Sequence, residues 1–356
     1  MPAVSIKKQL EYRGYVADII CLEDLYSGRD EIIEKTKKSL HKNFRMARMS
    51  YRLPTRNKSA IDPELEKRLI ERLSDERYDR VIVFSGFWLD FMNRLMTVSE
   101  YYRGRVYAIH MDASYSLSWK AADRTDINEI WLYNLDRGAV EHMLEEPSVC
   151  ETADKKLKSK ESINKDENAG GRILVHGGGW GIGEYDARIE TLNQLVYGLD
   201  IIIYYEDEYQ PDEAGLNRYF LLDPAWKPDK NGNEYPRLLT YGDGIWHSYV
   251  EEYSEVNPLR QLMLDAVAVL SKPGGGTISD SFITATPLIF GDELATYEKS
   301  NMELWIDKGY GISFDDFVNA GKADKKSLDI KLERMRESIV QAQSGVPHVF
   351  DILLNE

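Results

Sequence analysis

Residues 266–280 read Ala266-Val267-Ala268-Val269-Leu270-Ser271-Lys272-Pro273-Gly274-Gly275-Gly276-Thr277-Ile278-Ser279-Asp280. The apolar run at its start has the length of a buried strand, and the prolyl-glycyl stretch after it punctuates that strand sharply. Glycine lets the backbone turn tightly and come close to a ligand. A helix starting near Thr277 would aim unpaired N–H groups and the positive end of its dipole at the turn, an arrangement suited to phosphate. Asp280 falls one turn into that helix, where a carboxylate can accept bonds from vicinal ribose hydroxyls. A plain glycine turn, capped by Thr277 and with Asp280 favoured by the helix dipole, fits the same residues.

The same strand–turn–helix rhythm extends outward from this stretch. Upstream, the strand-like run Arg172 to His176 leads into Gly177-Gly178-Gly179, a helix is predicted over 187–197 and strands over 200–205 and 236–241. Downstream come a short strand over 287–290 and a charged amphipathic helix over 325–343. The first half repeats the rhythm, with helices over 3–12 and 64–73 and strands over 16–21, 81–84, 105–110 and 129–133. Between the halves, 145–171 is almost wholly polar and reads as a linker. Short β-rich runs alternating with helices predict an α/β protein of two Rossmann-like domains, parallel sheets with crossover helices. The expected division is 1–145, a linker 146–170, a second domain 171–324, and a C-terminal helix and tail 325–356.

Composition narrows the function classes. The chain has 356 residues with Lys+Arg 45 against Asp+Glu 60, a formal net charge of −15, and 43% hydrophobic residues. That apolar fraction builds ordinary cores, and so acidic a chain is poorly suited to general nucleic-acid binding. Its two cysteines, Cys21 and Cys150, cannot make a disulfide framework or a multi-cysteine metal site, and no metal cluster is expected. No apolar run approaches the roughly 20 residues of a membrane span. Lys7 and Lys8 interrupt any signal-peptide pattern, so a cytoplasmic location is expected, with contact to the inner membrane face left open.

The segment Lys272-Pro273-Gly274-Gly275-Gly276-Thr277-Ile278-Ser279-Asp280, followed by Thr286-Pro287-Leu288-Ile289, resembles the donor-site motif of inverting GT-B glycosyltransferases. In pattern it is similar to the monogalactosyldiacylglycerol synthases and the muropeptide N-acetylglucosaminyltransferase. Glu298-Lys299-Ser300-Asn301 and Asp307-Lys308-Gly309-Tyr310-Gly311 resemble the sugar-contacting stretch of the same family. The likeness spans 171–317 and extends to the first half only in layout. It implies that the amides of Gly275, Gly276 and Thr277, after Gly274, hold the diphosphate of a nucleotide sugar. Asp280 would stand at the ribose in place of the family's glutamate, one methylene shorter. Glu298 and Asn301 would face the sugar or support its loop, and Gly177 and Gly178 would line the cleft floor. Gly242 to His247 falls where relatives recognise the base, with Trp246 either stacking near it or packed in the core. The family's layout places a strand and a glycine-rich loop ahead of the part matched by Pro2 onward, so the chain reads as lacking them.

Two features of the first half bear on chemistry. His110-Met111-Asp112 follows a strand, where open α/β sheets place their ligands. Asp112 there would serve as general base toward an acceptor hydroxyl, with His110 as the other candidate; a loop or capping carboxylate is the bland alternative. The basic run Lys35, Lys37, Lys38, Lys42, Arg45, Arg48, Arg52 and Arg56 contains no carboxylate, and Leu40, Phe44, Ala47 and Tyr51 recur along it at helical spacing. It reads as a core-packed helix, or as a contact to an anionic acceptor or membrane surface.

The expected function is transfer of a sugar from a nucleotide-sugar donor, UDP-linked by the resemblance, to a small-molecule or lipid acceptor. No cofactor is needed beyond the donor itself. A nucleotide-sugar epimerase or hydrolase of the same fold, and a non-catalytic partner protein, are the competing expectations.

Overall fold

The computed structural model describes residues 2–25, 29–50, 61–120, 124–145, 170–211, 215–226, 234–249 and 257–354. The expected linker lies almost entirely outside these residues, as do Tyr51, Arg52 and Arg56 of the basic run. The fold is α/β and is built on two main sheets.

The first half carries a three-stranded parallel sheet of β1 (Val81–Val83), β2 (Val106–His110) and β3 (Ile127–Trp131), in that order. Helices Pro63–Glu76 and Leu89–Val98 cover one face, burying Leu69, Leu73, Phe91, Met92 and Leu95 against Val83, Val106 and Ala108. Asp62 starts the first of these helices by accepting from the Glu64 and Leu65 amides, with Pro63 at the position where a missing N–H costs nothing. A two-stranded ribbon, β4 (Tyr133–Asn134) and β5 (Ala139–Val140), follows.

The second half carries β6 (Gly170–Val175), β7 (Tyr197–Ile203), β8 (Asn217–Leu222), β9 (Leu238–Gly242), β10 (Ile245–Ser248), β11 (Ala268–Ser271), β12 (Leu288–Phe290) and β13 (Gly311–Ser313). Their spatial order is β10-β9-β8-β7-β6-β11-β12-β13. Without the antiparallel pair β9 and β10 at one edge, six parallel strands run in the order third, second, first, fourth, fifth, sixth. This is the doubly wound order, whose switch point lies between its first and fourth strands, here β6 and β11. One face packs helices Asp186–Gln194, Phe314–Ala323 and Lys325–Gln343 through Leu192, Phe317, Leu332 and Met335. The other packs helices Pro258–Asp265, Gly275–Thr284 and Thr296–Asp307, and its core continues into the first half through Ile6, Ile109, Leu132 and Tyr133.

Several expectations are corrected. Residues 16–21 form no strand: Val16 is 89% exposed, and the segment is held by Lys7 donating to the Ala17 carbonyl and Tyr78 Oη donating to Asp18. Apolar content without a ladder partner makes an extended segment, of which Ile20 packs against the first-half core. The helix after the glycine turn begins at Gly275, two residues before Thr277. The basic run is no single helix but two, Arg29–His41 and Phe44–Ser50. β8, β10 and β13 carry polar or short sequences that periodicity does not single out. The C-terminal helix belongs to the core of the second sheet, and the tail after it returns to the first half, where Met143 N–H donates to the Pro347 carbonyl and Val349 N–H to that of Met143.

Asp200, fully buried in the middle of β7, ties three strands together. Its carboxylate accepts from Arg172 Nε of β6 at 2.8 Å and from Arg218 Nε and Nη2 of β8 at 2.7 Å each. Asp200→Ala would strand two guanidiniums that keep partial access to water, at a cost of about 2–3 kcal/mol. Urea unfolding should show a lowered midpoint with unchanged slope.

Candidate functional site

β6 and β11 end side by side, each in a glycine-rich turn. β6 runs into His176 and Gly177 to Gly179, and β11 into Lys272 to Gly276 and helix Gly275–Thr284. The two turns therefore flank the switch point, the crevice where open α/β sheets bind ligands. The first residue of this helix must be glycine, because a Cβ there would lie 2.6 Å from the Met111 carbonyl oxygen and 2.7 Å from Asp112 Oδ1. The loop after β2 thus presses directly on the helix N-terminus, with the Asp112 carboxylate set against Gly275.

That contact is held by one buried amide. Asn301 Nδ2 donates to Asp112 Oδ1 and to the Pro273 carbonyl, both at 2.8 Å, and its Oδ1 accepts from the Ala113 amide at 2.6 Å. Ser114 Oγ donates to Ser300 Oγ beside it at 2.9 Å. Asp112 is half-buried. Burial pushes its pKa up to about 6, with Glu298 adding repulsion, while the Asn301 bond, the Lys272 charge and the Gly275 amide pull the other way. The net effect is a carboxyl whose pKa lies above the usual carboxylate range. Lys272 Nζ and Glu298 Oε1 form an ion pair at 2.5 Å, and Glu298 Oε2 accepts from the Leu294 amide at 2.7 Å.

The residues singled out in the sequence separate into those that meet here and those that do not. Gly177, Gly178, Gly274, Gly275, Gly276, Glu298, Asn301 and Asp112 come together around the crevice. Thr277 lies buried in the first turn of the helix. Asp280 is buried and occupied: its Oδ1 accepts from Arg260 Nε at 2.7 Å, and Arg260 also pairs with Glu145. The guanidinium is fully enclosed; burial alone would lower its pKa, but the two carboxylates raise it. His110 is 1% exposed inside an aromatic cage, stacked on Trp131 at 4.3 Å with Trp119 at 4.4 Å and Tyr115 edge-on at 5.2 Å. Burial, then the Arg124 charge, drives its pKa down to about 3, so the ring stays neutral. Both of its ring nitrogens are buried without a hydrogen bond, and Asp112 alone of the pair is placed against the glycine turn. Trp246 packs against Tyr209 and Tyr241 on the edge strand β10, four strands from the switch point. At about 4.8 Å per strand that is roughly 19 Å away.

Sequence reasoning gave no role to Lys272, His176, Arg260 or Glu145, and it did not foresee what the basic run would meet. Helices Arg29–His41 and Phe44–Ser50 lie as a strap across the loop after β6, where Leu40 and Ala47 cluster with Ile182 and Leu294. His41 Nδ1 is 3.2 Å from the Trp180 carbonyl and its Nε2 meets Glu208; Lys42 pairs with Asp207 at 3.4 Å and Arg48 with Glu293 at 3.0 Å. Gly181, at φ +66°, admits this approach, since a Cβ would strike His41 and Tyr204. Burial opposes charge on His41, but Glu208, with the Trp180 and Gly181 carbonyls, raises its pKa. The basic run thus meets an acidic rim of the chain's own second half, 206–208 and Glu293, a pairing visible only once the halves are placed together.

Among the described residues, no cluster of His, Cys, Asp and Glu is placed to hold a metal ion, and no helix is long and apolar enough to cross a membrane. No protein-family model matches the chain, and no curated protein does. Among solved structures, the chain is similar to the glycosyltransferase SnogD from Streptomyces nogalater, at 10% identity over 99% of this chain and 94% of that one, with a TM-score of 0.46. It is similar to the spinosyn forosaminyltransferase SpnP at 11% identity, over 99% and 94%, with a TM-score of 0.49. It is also similar to MurG of Acinetobacter baumannii at 12% identity, over 100% and 96%, with a TM-score of 0.48.

Because the pKa of Asp112 is raised by folding, the folded chain binds a proton more tightly than the unfolded one between pH 4 and pH 6. Stability falls as pH rises through that window. Asp112→Asn should remove this loss: at pH 8 it should exceed the parent in stability by on the order of 2–3 kcal/mol, and at pH 4 the two should nearly coincide. Denaturant titrations at the two pH values check this.

Proposed function

We propose that the protein is an inverting glycosyltransferase that takes a sugar from a nucleotide-sugar donor, UDP-linked by resemblance, and passes it to a small-molecule or lipid acceptor. One observation carries the reading. At the switch point of a doubly wound sheet, where the glycine turn and helix start offer amides to a diphosphate, a carboxylate with a near-neutral pKa arrives from the opposite sheet. A phosphate-binding turn alone would serve any nucleotide. A proton acceptor held over it from a separate layer is what transfer to a second substrate requires.

The chemistry follows from that geometry. The acceptor oxygen attacks the anomeric carbon as the bond from that carbon to the diphosphate oxygen breaks, inverting configuration in one displacement. Asp112 takes the acceptor's proton, and the amides at the start of helix Gly275–Thr284 stabilise the charge growing on the leaving diphosphate. The nucleotide sugar is the substrate, and no resident cofactor or metal enters this scheme. We further propose a cytoplasmic enzyme, with Lys35 and Lys38, exposed on the strap, facing an anionic acceptor or the inner membrane surface.

Release of the nucleoside diphosphate only when acceptor is present is the expected outcome, and consumption of donor without acceptor would favour an epimerase or hydrolase instead. With Asp112 ionising at about 6, kcat/KM should rise with pH to a plateau above that value. Asp112→Asn should lower kcat by about 10²–10⁴ and abolish this limb, while donor binding persists. Steady-state profiles from pH 5 to 8 and direct titration of the nucleotide test both.

A further inference from the structure

We propose that Lys272 is the cation that meets the donor's diphosphate, and that Glu298 positions this ammonium instead of touching the sugar. This rests on the glycosyltransferase reading and names what its donor site selects: a nucleoside diphosphate over a monophosphate.

Lys272 stands between the two glycine turns. A Cβ on Gly178, after β6, would lie 3.5 Å from Lys272 Cε and 3.8 Å from Nζ; one on Gly274, after β11, would lie 3.1 Å from Nζ. The ammonium therefore occupies the switch-point crevice beside the start of helix Gly275–Thr284. Gly276, next in that helix, has nothing near its Cα where a side chain would stand, so the turn is open on that side.

Glu298 is 2% exposed, with one oxygen on Lys272 and the other on the Leu294 amide. A head so enclosed offers a sugar hydroxyl no approach. What it does is fix the end of a flexible lysine stem, whose compact charge can shift from a carboxylate to an arriving phosphate.

A second observation marks the same crevice as a place for an anion. His176, 4% exposed, accepts the Gly178 amide on Nδ1 at 3.0 Å, while its Nε2 has no hydrogen-bond partner. Burial holds the ring neutral, with a pKa of about 4, so Nε2 carries the proton and is an unsatisfied donor. By strand alternation His176 shares the sheet face of Leu174, the face on which helix Gly275–Thr284 packs. Ser271, its neighbour across the β6–β11 pair, is also buried with an unpartnered hydroxyl. Such groups are rarely left unmade in a native core without a polar ligand or water to receive them.

The test is calorimetric titration of the full chain with UDP, dTDP, GDP and ADP, then with the monophosphate and nucleoside of whichever binds. Lys272→Met should weaken the diphosphate about ten- to a hundredfold, as expected for loss of a charged hydrogen bond, and leave the nucleoside unchanged. Because Lys272→Met leaves a buried carboxylate unpaired, the double variant Lys272→Met/Glu298→Gln, neutral on both sides, is measured alongside and should show the same loss with an intact thermal transition. Glu298→Gln alone should weaken UDP and a UDP-sugar by the same factor. Unchanged diphosphate affinity in the folded double variant overturns the role of Lys272. A selective loss of the sugar-bearing ligand in Glu298→Gln overturns that of Glu298. Failure of the parent chain to bind any of the four diphosphates is a different result: it removes the glycosyltransferase reading itself, and this proposal with it.

Discussion

The side chain of Asn301 is the joint on which the candidate site depends. It is fully buried, and its three hydrogen bonds reach Asp112 and Ala113 in the loop after β2 and Pro273 in the turn after β11, with the Ser114–Ser300 bond beside them. An amide in a low-dielectric interior is costly to leave unsatisfied, and no partner can be moved without breaking bonds to the others. The distance between a carboxylate from the first sheet and a helix N-terminus from the second is thereby set by one residue.

Around that joint the chain concentrates buried charge while its surface stays broadly acidic. Arg260 binds Asp280 and Glu145, Lys272 binds Glu298, and Asp112 accepts from the Asn301 side chain. Arg260 and Lys272 each have a matched carboxylate, the condition under which burial is tolerated. The arrangement reassigns residues that a motif would treat as ligand contacts. Asp280 anchors the helix to the end of the first half, and Glu298 anchors a lysine. The strap follows the same logic on the rim, where basic residues of the first half answer acidic residues of the second.

Much of the second half was legible along the chain. Buried parallel strands are apolar from end to end, and glycine turns punctuate them, so β6, β11 and β12 and the turns after them are visible as local patterns. Periodicity had no purchase on β8, which alternates Arg218 and Tyr219 among its apolar residues, or on the three-residue β13. It also misled at 16–21, where strand-like residues found no neighbouring ladder, and at the basic run, where 42–43 break the helix.

The sequence by itself determined that the protein is α/β, where its glycine turns lie, and that Asp112 follows a strand, because these follow from local backbone preference and the period of apolar residues. Only the tertiary structure decided that His110 is sealed among rings, that Asp280 and Glu298 are spent on ion pairs, and that Asp112 reaches Gly275. The rings around His110 and the ion-pair partners of Asp280 and Glu298 come from 5 to 26 residues away, and the contacts that join the halves, Glu145 to Arg260 and Asp112 to Asn301, span 115 and 189 residues. No local pattern encodes a partner so far away, and burial alone decides whether a charged side chain serves a ligand or the fold.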